Sequence, residues 1–144
     1  MVAYVDGSYD HEKGVYGYGI VAIHPDGRVE HFAGAGNKEE TAALRNVAGE
    51  TIAAMTATRY AIQCGYENIK IFYDYSGIEN WVTGAWKAKK NLTIKYSTAM
   101  REWADKINIQ FEKVAAHTGN MYNETADSLA KSAICTFLSE ETKE

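Results

Sequence analysis

Four carboxylic acids stand where the surrounding sequence gives an acid little local reason to be. Asp6 follows Tyr4-Val5 and precedes Gly7-Ser8, Glu50 closes Arg45-Asn46-Val47-Ala48-Gly49, Asp74 ends Ile71-Phe72-Tyr73, and Asp127 follows Asn123-Glu124-Thr125-Ala126. Asp6 and Asp74 come after short apolar, aromatic runs of the kind that form buried strands. Glu50 and Asp127 fall in helical stretches rich in alanine and leucine. Brought together, four carboxylates repel one another, and a fold that gathers them needs a hard cation held through oxygen ligands. A single metal site is the chemistry they suggest. Singly, each acid has an ordinary reading: Asp6 opening a turn, Asp74 capping a helix, Glu50 and Asp127 solvated on helix surfaces.

The elements that must position these acids can be traced along the chain. Residues 3–8, 16–24 and 28–33 are expected as three strands, the last two joined by Pro25-Asp26-Gly27, which supplies the dihedrals of a tight turn. That is an antiparallel meander. A polar loop is expected over 34–40, then a long helix over about 44–64 ended by Gly65, and a fourth strand over 68–73. Helices follow at 77–85 and about 94–106, a fifth strand at 107–114 and a last helix at 122–138. The segment 139–144 is expected as a frayed tail to a single domain spanning 1–138.

Composition bounds the class. With 144 residues, 46% hydrophobic content and one proline, the chain has the size of one domain with a real core. Cys64 and Cys135 are its only thiols, and no apolar run approaches membrane-spanning length, so a cytoplasmic protein is expected. A net charge of -4 excludes a chain that coats nucleic acid by bulk electrostatics. A polyanion would have to meet a local basic patch. Trp86-Lys87-Ala88-Lys89-Lys90, with Lys95 behind, is that patch, where lysines beside an aromatic suit phosphates and sugars. A solvated loop is its plainer reading. Gly14, Gly17 and Gly19 resemble a phosphate loop only superficially, since no strand-to-helix turn follows them.

Three strands, helix, strand, helices, strand and helix, with acids on the first strand, first helix, fourth strand and last helix, resemble ribonuclease H of the type 1 family. The resemblance covers nearly the whole chain. Its specific parts are Tyr4 to Ser8, Glu50 preceded by Asn46, the strand-terminal Asp74, and His117-Thr118-Gly119 followed by Asn123 to Ala130. Arg45 to Glu50 and Asp74 to Trp81 look most like bacterial members, which often carry a separate N-terminal hybrid-binding domain; that domain is expected to be absent here. The implied fold is α/β, a mixed five-stranded sheet flanked by helices.

The resemblance implies an endoribonuclease that hydrolyses the RNA strand of RNA:DNA hybrids, leaving 5'-phosphate and 3'-hydroxyl ends. Two Mg2+ ions, with Mn2+ as a substitute, would be ligated by Asp6, Glu50, Asp74 and Asp127, Asp6 bridging them from the central strand. Such ions acidify the attacking water and neutralise the leaving oxygen. His117 would move a proton near that site. Asn46, one helical turn before Glu50, would read the 2'-hydroxyl, and Lys87, Lys89, Lys90 and Trp86 would hold the DNA strand. Ser76, a further substrate-binding candidate, stands where relatives often have glutamine, Val47 where they often have asparagine, and Arg45 where they often have threonine. A monomer without an obligate protein partner is expected. A structure-specific DNA nuclease of the same fold, and a hybrid-binding module without catalysis, are the alternatives. Asn46 opposes the first and the retained acids oppose the second.

Overall fold

The computed structural model describes residues 1–42, 44–114 and 120–141, with Glu40, Asn46 and Glu141 described by backbone alone. Its elements are β1 (Val2–Asp10), β2 (Val15–Ile23), β3 (Val29–Gly36), α1 (Glu39–Ala42), α2 (Asn46–Gln63), β4 (Asn68–Tyr73), α3 (Gly77–Thr83), α4 (Asn91–Trp103), β5 (Asn108–Lys113) and α5 (Met121–Glu141). They build the expected mixed sheet of five strands, in the order β3-β2-β1-β4-β5. The β1–β2 and β2–β3 pairs are antiparallel, whereas β1–β4 and β4–β5 are parallel.

Alternation along the strands sorts the two faces. Ala3 and Val5 of β1, Ile20 and Ala22 of β2, and Ile69, Ile71 and Tyr73 of β4 form one core with Ala53, Ala54, Ala57 and Ala61 of α2 and Tyr96 and Met100 of α4. Burying each of the larger aliphatic side chains contributes about 2 kcal/mol. The alanines of α2 keep it close to the sheet. On the other side α5 lies across β1, β2 and β3. Gly17 and Gly19 are its seat: a Cβ at either would run into the carbonyl oxygen of Ala130 or Ala126. These two glycines therefore serve helix packing.

Several boundaries differ from the sequence expectation. The segment 34–40 is not a loop throughout, because β3 continues to Gly36 and α1 begins at Glu39. Gly34 and Gly36 have no strand preference of their own, yet the rings of Tyr18 and Tyr16, their partners on β2, lie across them. This cross-strand cover replaces the missing side chains. Helix α4 starts at Asn91, three residues early, since the Lys90 N–H donates to Thr93 Oγ1 at 3.1 Å and ties off the first turn. It stops at Trp103 rather than 106, where the Ile107 N–H turns back to the Trp103 carbonyl. Helix α5 begins at Met121, where Asn120 Oδ1 accepts the Asn123 N–H at 3.0 Å, and runs through Glu141, three residues past the expected end.

Candidate metal centre

Asp6 sits within β1, and Asp74 directly follows β4, the parallel neighbour of β1. Glu50 comes from the first turns of α2. That helix reaches the sheet because Gly49 has no side chain: a Cβ there would meet the Gly17 carbonyl oxygen and the Gly7 Cα. The close approach puts the next residue among the strand-borne acids. Glu50 Oε1 accepts the Asp74 N–H at 3.0 Å, a bond that joins α2 to the end of β4.

Oxygens of Asp6, Glu50 and Asp74 lie within 4.8 Å of one another, the group of this kind among the described residues. Asp6 and Glu50 are 8% and 3% exposed, so their charges are scarcely solvated. Burial, then the charge of Asp74, lifts the Asp6 carboxyl to about 7; the Gly7 N–H opposes this by donating to Oδ1 at 2.9 Å, and Asp127 adds to it. Glu50 is held well above the ordinary carboxylate range, first by burial and then by Asp74 and Asp6, against the pull of the Asp74 N–H. Such mutual elevation is what a compensating cation would relieve.

Asp127 stands at the margin of this trio. It is close enough to raise the Asp6 carboxyl by charge and by hydrogen bonding, but its own Oδ2 is 2.9 Å from Lys131 Nζ, one helical turn along α5. One turn the other way, Asn123 is 5% exposed, and its Oδ1 is the buried side-chain acceptor left without a hydrogen bond among the described residues. His117 lies outside the described residues, and the side chain of Asn46 is likewise undescribed, although its backbone opens α2.

Ser76 precedes α3, and its Oγ accepts a hydrogen bond from Lys113 Nζ at 2.8 Å. Tyr75, next to Asp74, starts an aromatic series in which Tyr75, Trp81 and Trp86 lie mutually 5.7 to 6.0 Å apart between ring centroids. Gly77 makes room for it, because a Cβ there would strike the Tyr75 and Trp81 rings. The series leads from the acids to exposed Lys87, Lys89 and Lys90 in the α3–α4 connection. Sequence reasoning missed Lys131 and Lys113. The first was legible as an acid and a base four residues apart on one helix face, whereas the second depends on strand register.

A sheet of this order with carboxylates gathered where β1, β4 and α2 meet defines the class of RNase H-fold nucleases. The RNase H family profile matches residues 1–135. Similar proteins include the ribonuclease H of Cyanothece sp., 29% identical over 139 residues that cover 89% of this chain and 85% of the relative. That of Ehrlichia ruminantium is 28% identical over 143 residues, covering 93% and 94%. Among solved structures, RNase H1 of the archaeon Halobacterium salinarum superimposes with a TM-score of 0.76 at 24% identity, covering 94% of this chain and 97% of its own. LC11-RNase H1 bound to an RNA/DNA hybrid does so at 0.70 and 15% identity, covering 92% and 98%. The chain belongs to the ribonuclease H family. Its donor set fits a metal: three clustered carboxylates, two of them buried and destabilised as anions, are oxygen ligands suited to a hard divalent ion and lack the thiolate or imidazole that zinc prefers.

Proposed function

We propose that this chain is an endonuclease hydrolysing the RNA strand of RNA:DNA hybrids with two Mg2+ ions, for which Mn2+ can substitute. The observation that carries the reading is the convergence of Asp6, Glu50 and Asp74 within 4.8 Å in a chain of this family. Asp6, Glu50, Asp74 and Asp127 would hold the ions. Bound divalent ions at such a site supply an acidified water and neutralise charge growing on the leaving 3' oxygen, giving 5'-phosphate and 3'-hydroxyl ends.

The chain's own residues do the rest. Glu50, anchored by the Asp74 N–H, keeps the ligand set in register as substrate arrives. His117 moves a proton at the leaving oxygen or the product. Asn46, at the start of α2, reads the 2'-hydroxyl, with Ser76, two residues past Asp74, as a further substrate-side residue. The rings from Tyr75 to Trp86 form a wall along which the DNA strand lies, its phosphates held by Lys87, Lys89 and Lys90. We place the enzyme in the cytoplasm as a monomer; the free, exposed thiols of Cys64 and Cys135 suit a reducing compartment. Among the described residues no helix is long and apolar enough to cross a membrane.

Cleavage of a matched RNA:DNA hybrid, duplex DNA and duplex RNA in Mg2+ tests the reading. Cutting confined to the RNA of the hybrid is expected. Cutting of branched or duplex DNA instead would transfer the site to the structure-specific alternative, and hybrid binding without cutting to a binding module.

A further inference from the structure

Lys113 is the last residue of β5, and its partner across the parallel β4–β5 ladder is Tyr73, immediately before Asp74. Open α/β sheets bind ligands beyond the carboxyl ends of their parallel strands. Here those ends deliver an acid from β4 and an ammonium from β5. The Val114 N–H donates to the Tyr73 carbonyl at 2.7 Å, which extends the pairing one step and fixes the Lys113 backbone beside the acid site. Alternation then sets the face. Ile109 and Phe111 pack on the core shared with α2, so Lys113, two residues further along, projects on the side from which Glu50 enters.

Its chemical partner separates Lys113 from the other cations near the sheet. Lys131 is spent on Asp127 at 2.9 Å and Lys70 on Glu112 at 3.3 Å. Lys113 Nζ donates to a neutral hydroxyl, Ser76 Oγ, and no described carboxylate lies within ion-pair distance of it. Ser76 spends its hydroxyl on no helix cap, which leaves it free to accept this bond. Among the described residues the ammonium therefore meets no countercharge, and this bond uses one of the three donors an ammonium carries. A polyanion approaching three clustered carboxylates meets their repulsion, and an unneutralised cation at the rim offsets it.

We propose that Lys113, positioned by Ser76, binds a phosphate of the RNA strand next to the scissile linkage. This deepens the hybrid-hydrolase reading and rests on it.

The test measures hybrid affinity by fluorescence anisotropy in an Asp74→Asn background, where turnover does not interfere. Lys113→Met should weaken binding about five- to tenfold and reduce the slope of log affinity against log salt by about 0.7 to 0.9, the share of one phosphate contact. Lys113→Arg should keep the slope. Ser76→Ala should cost less and add nothing on top of Lys113→Met, as expected of a group acting through another. In the Asp74 enzyme, Lys113→Met should raise KM more than it lowers kcat. Neutral methylphosphonates in the RNA strand near the cut should erase the difference between wild type and Lys113→Met, and the same groups in the DNA strand should not. Unchanged affinity and slope in a Lys113→Met protein that melts like wild type would overturn the assignment while leaving the enzyme reading intact. Erasure by the DNA-strand substitution would overturn it too. A wild-type protein that neither binds nor cuts hybrid would remove both.

Discussion

Asp74 contributes to the raised pKa of both Asp6 and Glu50, second only to burial in each case. Asp74→Asn keeps the shape, removes one charge from the carboxylate cluster and relieves that repulsion. Hydrolysis is expected to fall about a hundred- to a thousandfold, the scale of losing one strong electrostatic group, with hybrid binding nearly unchanged. Melted without metal at neutral pH, the variant should be more stable than wild type, and Mg2+ should raise its melting temperature less. Equal responses to Mg2+ would remove Asp74 from the site. The pH dependence follows from the same pair. For Asp6 the folded value, about 7, lies above the unfolded value, 3.8, so the folded state holds a proton the unfolded state has released. Its stabilising contribution is fully present below about pH 4 and is lost as pH rises towards 7. Metal-free protein should therefore lose stability across that window, with Glu50 acting in the same direction, while saturating Mg2+ should reverse the trend because it binds the ionised acids. A melting profile in chelator that rises from pH 5 to 7.5 would contradict the cluster. Lys131→Met should weaken metal-free stability by less than about 1 kcal/mol, since the Lys131 end of the pair is largely exposed. It should tighten Mg2+ binding several-fold by calorimetry, because the ion no longer competes with an ammonium for Asp127; unaltered Mg2+ affinity would leave Asp127 outside the metal's reach.

At the scale of elements, the acids were legible because two of them terminate or interrupt apolar strands, a placement hard to explain by packing. What was not legible was the distance between elements. Gly49 is unremarkable in sequence, yet it lets α2 touch the β1–β2 pair at the residue before Glu50. Gly34 and Gly36 argued for a loop until the tyrosines of β2 supplied what they lack. Lys113 gained its place beside Asp74 only through parallel pairing of strands some forty residues apart. Gly49→Ala should accordingly push α2 outward, at a cost of about 1 to 3 kcal/mol for overpacking. It should also stretch the bond from the Asp74 N–H to Glu50. Activity, measured where the variant is still fully folded, should drop well beyond what the stability loss explains. Gly65→Ala is the control: Gly65 has φ +79° with open space around it, so the change strains the backbone at the end of α2 by about 1 kcal/mol without moving Glu50. Equal activity losses in the two variants would show that close packing at Gly49 does not set the site.

Over the whole molecule, a chain of net charge -4 must hold a polyanion with few cations. Structure narrows that set further than sequence did. Arg101 lies beside the lysine-bearing connection, but it is committed to the end of α3, its Nε donating to the Val82 carbonyl at 3.0 Å and its Nη2 to that of Trp81 at 3.4 Å. Lys87, Lys89 and Lys90 remain exposed at the far end of the aromatic series, with Trp86 41% exposed among them. Converting the three lysines to alanine should flatten the salt dependence of hybrid affinity by up to about 2.7, since each phosphate contact accounts for a little under one. KM should rise while kcat changes little, because these groups touch substrate and transition state alike. With so few contacts, each exposed to competing salt, the complex should dissociate between cuts, and cleavage of a long hybrid should be distributive. In a trap experiment with excess unlabelled hybrid, the label should stop shortening after about one cut per binding event. Long processive runs, or an unchanged salt slope in the triple variant, would mean that a surface other than the α3–α4 connection holds the DNA strand.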